Sequence, residues 1–157
     1  MSTNAEQSFH GMHLAYRDTP SDPETVARNR QTLLDALDQI EAGNWDAFWA
    51  IFDPDVTFHE AACMPYGGAH HGLEAAKRAY GQISEVFELG PVIMEAIPAD
   101  RDIVILYQSV TFKVRANGQT RTLPVSELFR FRNGKVIEWR ALYFDSNALA
   151  EAIAGRG

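Results

Sequence analysis

Residues 121–144 read RTLPVSELFRFRNGKVIEWRALYF. Two runs of alternating side chains flank Asn133-Gly134, the strongest short-range signal for a β-hairpin. Successive strand residues point to opposite faces. In the first run the apolar row is Leu123, Val125, Phe129 and Phe131, with Glu127 set among them. In the second run the odd row is Ile137, Trp139, Ala141 and Tyr143, against Glu138 and Arg140 on the other side. The hairpin therefore has one buried face and one wet face, and the buried face carries a carboxyl.

Working outward, extended patterns also fall at 92–98, 102–115, 119–132 and 135–144, separated by Asp100-Arg101-Asp102, Asn117-Gly118 and Asn133-Gly134. Upstream the pattern is helical. Ser21-Asp22-Pro23-Glu24 is a helix start, with a capping oxygen and an early proline. Val26, Leu33, Leu34, Leu37 and Ile40 follow at helical spacing, and Gly43 stops the run. Asn44 can cap a second helix carrying Trp45, Phe48, Trp49 and Phe52 on one stripe. Asp53-Pro54-Asp55 launches a strand, VTFHE (56–60), whose apolar row Val56 and Phe58 ends on Glu60. Gly72 introduces a third helix with Leu73, Ala76, Tyr80, Ile83 and Phe87 inside, and after Gly90-Pro91 the chain turns extended. A short helix from Ser146 to Ala154 closes it. Helices first, then antiparallel strands in tight turns, indicate an α+β fold with helices covering one face of a curved sheet. Residues 1–20 read as a flexible arm and 21–157 as a single domain.

Fourteen basic and 21 acidic residues leave a net charge of −7. That disfavours nucleic acid and anionic membranes as partners, and no run approaches a membrane span. With one cysteine, Cys63, no internal disulfide forms, which points to a reducing, cytoplasmic location. Cys63 reads as a small packed thiol rather than a nucleophile, since no partner pattern accompanies it.

Two strands thus each place one glutamate in an apolar row. Burying an unpaired carboxylate is expensive, and the usual escape is a raised pKa or a basic partner. Arg30 and Arg121 are the arginines that could pair with Glu127, and Glu60 could reach water where its strand ends. If instead both open into one apolar hollow, they push each other's pKa values apart and supply acid and base near neutral pH. Trp49, Phe58, Met64, Phe129 and Trp139 are the side chains whose packing sets the size of such a hollow. Tyr66 and Tyr143 are candidate phenols within it. His59 points away from Glu60 on a regular strand, and His59, Glu60 and His71 match no defined metal spacing, so neither metal nor cofactor is expected.

The segments LDQIEAGNWDAFWAIFDPDVTFHE and PYGGAHHG, and the closing SELFRFRNGKVIEWRALYFD, resemble the nuclear transport factor 2-like superfamily, within it the SnoaL-like polyketide cyclases and ketosteroid isomerases. The resemblance covers roughly residues 24–150. It implies a cone-shaped, curved antiparallel sheet wrapped against three helices around a deep apolar pocket. It places Glu60 at the isomerases' proton-shuttling carboxylate and Glu127 at their protonated, hydrogen-bond-donating carboxyl. Phe129, Trp139 and Tyr143 fall at pocket-lining aromatics. The isomerases' helix-one tyrosine has no counterpart, since the matching position is near Ala36. The expectation is a cofactor-free acid–base enzyme (an isomerase, cyclase or dehydratase) on a small apolar carbonyl or enol compound. The alternative is a domain of the same fold that binds such a ligand without turning it over. Superfamily members often pair through the outer sheet face, where Leu128, Val136, Leu142 and Phe144 would lie. A homodimer is expected on that ground.

Overall fold

The structure is a computed structural model that describes residues 18–156. Of the expected arm only residues 18–20 are described, where the Thr19 carbonyl accepts a hydrogen bond from Arg101 Nε at 2.8 Å. His10 and His13 lie outside the described residues.

Helix α1 spans Pro23–Glu41. Asp22, not Ser21, caps it, accepting from the Glu24 and Thr25 amides, with Pro23 in the first turn where no N–H is missed. Gly43, at φ +79°, ends it, and Asn44 caps the short α2 (Trp45–Trp49) through the Ala47 amide. Strand β1 (Phe52–Glu60) follows, then β2 (Gly68–His71), α3 (Leu73–Val86) and β3 (Phe87–Ala96). The remaining elements are β4 (Ala99–Asp100), β5 (Ile103–Val114), β6 (Thr120–Arg132), β7 (Lys135–Tyr143) and α4 (Ser146–Ile153).

The seven strands form one open, curved sheet in the order β2-β1-β7-β6-β5-β3, with β4 paired to β5. All neighbours are antiparallel except β1 and β7, which run parallel. The helices cover the inner face, so the architecture is α+β as expected. The core row along each strand is the one the alternation predicts: Val104, Leu106 and Val110 on β5, Leu123, Val125 and Phe129 on β6, Val56 and Phe58 on β1, all buried.

Three local expectations give way. The segment that forms β2 reads as loop in the sequence; the tight turn before it depends on Gly67, where a Cβ would sit 2.3 Å from the Ala61 carbonyl oxygen. The helix-to-strand change comes at Phe87, before Gly90-Pro91, and β3 runs through that pair as an exposed edge, where a proline is tolerated. The third concerns β7. Phe131 faces Val136, while Arg130 faces Glu138, so Ile137 is an extra residue, a β-bulge. It resets the alternation, turning Val136 inward to full burial and leaving Ile137 half-buried. Val136 is therefore a core residue and not part of the outer face. Asn133 and Gly134 hold φ of 51° and 75°, the left-handed pair that a two-residue hairpin turn requires.

Candidate functional site

Between the sheet's inner face and helices α1, α2 and α3 lies a cavity of about 550 Å³, in the range that encloses a small organic ligand. Each strand aims its inner-row side chains into it: Glu60 from β1, Leu106, Gln108 and Val110 from β5, Glu127 and Phe129 from β6, Trp139 and Tyr143 from β7. The helices add Leu34, Leu37, Phe48, Tyr80 and Ile83, and the edge strand adds Leu89, Val92 and Met94 at one end.

Both glutamates reach this cavity. Glu60, only 7% exposed, accepts a hydrogen bond from the Tyr143 hydroxyl at 3.0 Å. Glu127 keeps intermediate exposure because it opens onto the cavity, but protein encloses it on every side. Its Oε1 accepts from Gln108 Nε2 at 2.9 Å and its Oε2 from Trp139 Nε1 at 3.0 Å. Neither expected arginine pairs with it: Arg30 donates to the Ile97 carbonyl and Arg121 to Thr120 and Gln119. Burial therefore dominates. It pushes Glu60 up to about 8, against the Tyr143 hydrogen bond and with a further push from the Glu127 charge. It pushes Glu127 up to about 7, against the two N–H donors.

The partners differ in kind. An indole N–H only donates, so Trp139 favours the ionised form of Glu127. A phenol can donate or accept, so Tyr143 donates to ionised Glu60 and opposes its rise, yet can turn to accept from the protonated form. Burial thus favours the protonated form of both carboxyls, against the hydrogen bonds that each accepts. The two titrate as a coupled unit.

The remaining expected site residues divide. Phe129, Trp139 and Tyr143 line the cavity, with Trp139 stacked on Phe129 at 5.4 Å between centroids. Trp49, Phe58, Met64 and Tyr66 do not line it. Phe58 stacks on the far side of Trp139 at 4.2 Å, and Trp49 packs against Phe52, Tyr80 and Trp139. Met64 and Tyr66 are buried in the β1–β2 connection. The Tyr66 hydroxyl is a buried polar atom without a hydrogen-bond partner of good geometry among the described residues. It lies close enough to Glu60 that this carboxyl's charge, added to burial, raises its pKa. Cys63 is exposed rather than packed, its thiol directed at the Ser146 carbonyl at 3.7 Å.

His59 and Glu60 diverge as strand alternation demands. His59 meets Glu138 on the outer face at 3.5 Å, where Arg130 and Arg140 also bind Glu138. His71 contacts Thr57 Oγ1 and His70 the Tyr66 carbonyl. Among the described residues no group of three His, Cys, Asp or Glu side chains could hold a metal ion. No helix among them is long and apolar enough to cross a membrane.

Two polar residues beside the glutamates are not singled out by the sequence pattern as read above. Gln108 stands in the β5 row Val104, Leu106, Val110, Phe112 and Val114, so the alternation that singles out the glutamates is the signal that finds it. Tyr80 belongs by spacing to the core stripe of α3. Its hydroxyl makes no hydrogen bond among the described residues, and burial with the charge of Glu127 raises its pKa. The cavity thus offers a phenol from α3 where the sequence shows none on α1.

Solved structures share this architecture. A candidate SnoaL-like polyketide cyclase from Jannaschia sp. CCS1 superposes with a TM-score of 0.70 at 24% identity, over 88% of this chain and 100% of that one. TerC, co-crystallized with polyporic acid, gives 0.69 at 19%, covering 81% and 98%. An NTF2-like protein from Burkholderia xenovorans LB400 gives 0.68 at 22%, covering 81% and 95%. Identities this low speak for the fold alone. No curated protein matches the sequence significantly. The family model described as SnoaL-like domain matches residues 33–139, and on that match the chain belongs to the SnoaL-like domain family.

Proposed function

We propose that the protein is a cofactor-free acid–base enzyme that moves a proton on a small apolar carbonyl or enol compound. One observation carries the reading: two carboxyls, given only neutral donors by the described residues, open into the same apolar cavity and are held by burial near neutral pKa. Such a pair supplies acid and base together at the pH where each is half-available. Isomerisation, aldol-type cyclisation and dehydration all need that combination.

The division of labour we favour reverses the one the family resemblance suggests. Glu127, whose oxygens accept the indole and amide N–H groups, is the base. Glu60, whose phenol partner can serve the protonated acid, keeps its proton and donates it to the oxygen on which charge develops. The Tyr80 hydroxyl is a second donor for that oxygen. Solution NMR in D₂O tests the reading: apolar cyclic ketones should gain deuterium beside the carbonyl with the wild-type protein. Glu127→Gln should abolish the gain. A panel that shows no exchange above buffer would leave the family's other reading, a binding domain.

We also propose a homodimer in which a second copy covers the outer sheet face. Tyr107 and Leu142 are exposed there on either side of Ser126 in the ladder, with Phe144, 83% exposed, just beyond. Such a row is larger than scattered surface hydrophobics.

A further inference from the structure

The cavity's lining is one-sided in charge. Of the 22 described residues that line it four are carboxylic acids, Asp38, Glu41, Glu60 and Glu127, and none is Lys, Arg or His. Asp38 and Glu41 are solvent-exposed at the rim, on α1 beside Leu34, Leu37 and Ile40, and Glu60 and Glu127 lie deeper. Elsewhere the protein does pair its acids. On the outer face Glu138 holds Arg130, Arg140 and His59, and Asp102 holds Arg130. The inner carboxyls receive only neutral donors among the described residues. Apart from Gln108 the rest of the wall is aromatic and aliphatic, with Trp139 within 5.5 Å of both Phe129 and Tyr80, measured between ring centroids. Acids without cations, beside stacked rings, are the surroundings in which an organic cation is stabilised twice, by charge and by ring faces. An anion entering the same cavity would lose its water and find, among the described lining residues, neutral donors but no cation to offset the carboxyls.

We propose that the ligand of this cavity is a hydrophobic amine bound as its ammonium ion, with an apolar body among the rings and its nitrogen at the Glu60–Glu127 end. Where it rests on the catalytic reading above, the substrate is a carbonyl compound that also carries a protonated amine. The binding claim itself needs only the cavity. Carboxylates, phosphates and substrates tethered to an anionic carrier are disfavoured by the same described lining. Binding of the cation also favours the ionised form of Glu127, so the amine displaces that proton, while Glu60 keeps its own as the catalytic reading requires. The titratable groups that face it are Asp38 and Glu41 from α1, Glu60 from β1, Tyr80 from α3, Glu127 from β6 and Tyr143 from β7.

The test uses the full chain and three matched probes, 4-phenylbutylamine, 4-phenylbutanol and 4-phenylbutyrate, titrated by calorimetry at pH 7.5. The amine should bind about tenfold tighter than the alcohol and about a hundredfold tighter than the carboxylate, as expected for a partly solvated charge pair. From pH 6 to 8 the amine's affinity should rise about tenfold while the alcohol's stays flat. The double variant Glu60→Gln/Glu127→Gln, checked for folding by circular dichroism, should bind alcohol as before and lose the preference for the amine. A carboxylate that binds as tightly as the amine overturns the proposal. So does an amine no tighter than the alcohol, or one that gives no binding heat up to its solubility limit. Deuterium exchange that fails while amine preference holds removes the enzyme reading alone; a carboxylate preference with exchange intact removes this one alone.

Discussion

Replacing Glu60 by glutamine should make the protein more stable, and increasingly so as the pH rises. The unfolded chain releases the Glu60 proton near 4.5, whereas the folded chain keeps it to about 8. Below 4.5 both states hold the proton and the carboxyl costs nothing. Above it the unfolded state is favoured by ionisation that the folded state lacks, and the penalty grows until the pH passes 8. Each pH unit contributes about 1.4 kcal/mol, so the gap between 4.5 and 8 sets a ceiling of about 5 kcal/mol. Relaxation around the carboxyl and water entering the cavity reduce that, and a gain of about 2 kcal/mol at pH 8 is expected. Glutamine is a fair replica of the protonated form, since its amide oxygen can still accept from the Tyr143 hydroxyl, 3.0 Å from Glu60 Oε2. Urea unfolding of wild type and variant, followed by far-ultraviolet circular dichroism at pH 5, 6, 7 and 8, measures the difference directly. Because the Glu127 charge adds to the rise at Glu60, the effect should shrink in a Glu127→Gln background. A stability difference that stays constant with pH, or a variant less stable than wild type at pH 8, would refute the claim that Glu60 is an uncompensated buried carboxyl.

Catalysed exchange should follow a bell in pH with its optimum between about 7 and 8, since Glu127 must be ionised and Glu60 protonated; a profile flat from pH 6 to 9 removes both assignments. Tyr143→Phe deletes the hydrogen bond that holds Glu60 down, so the alkaline limb should move up by about one pH unit. Trp139→Phe deletes one of the donors that favour ionised Glu127. The acid limb should move up in turn, by about one unit, while a downward move would mean that the indole contacts the proton-bearing form. Leu142→Asp places a charge on the exposed outer row and should turn a dimer into a monomer in light scattering after size exclusion, with the circular dichroism spectrum unchanged. A wild-type chain already monomeric at high concentration would end the dimer proposal.

The sequence by itself determined the class of fold and which face of each strand is buried. Alternation is a local property: Val56, Phe58 and Glu60, or Val125, Glu127 and Phe129, declare their common side wherever the strand ends up. Turn chemistry is local too, as Asn133-Gly134 shows. For the same reason both glutamates and three of the cavity aromatics are legible from the order of residues alone. Tertiary structure decided what lies across the hollow from each of them. The bulge at Ile137 belongs to the register of β7 between β6 and β1, and it reverses Val136 against simple alternation. Whether a buried aromatic faces the cavity or backs the ones that do depends on packing between elements distant in sequence. Phe58 and Trp49 stand behind Trp139, while Tyr80 from α3 comes forward. The lack of a basic partner for Glu60 and Glu127 among the described residues is likewise a property of the assembled cavity. No spacing along the chain announces that Arg30 turns to the Ile97 carbonyl and that Arg130 and Arg140 turn outward to Glu138.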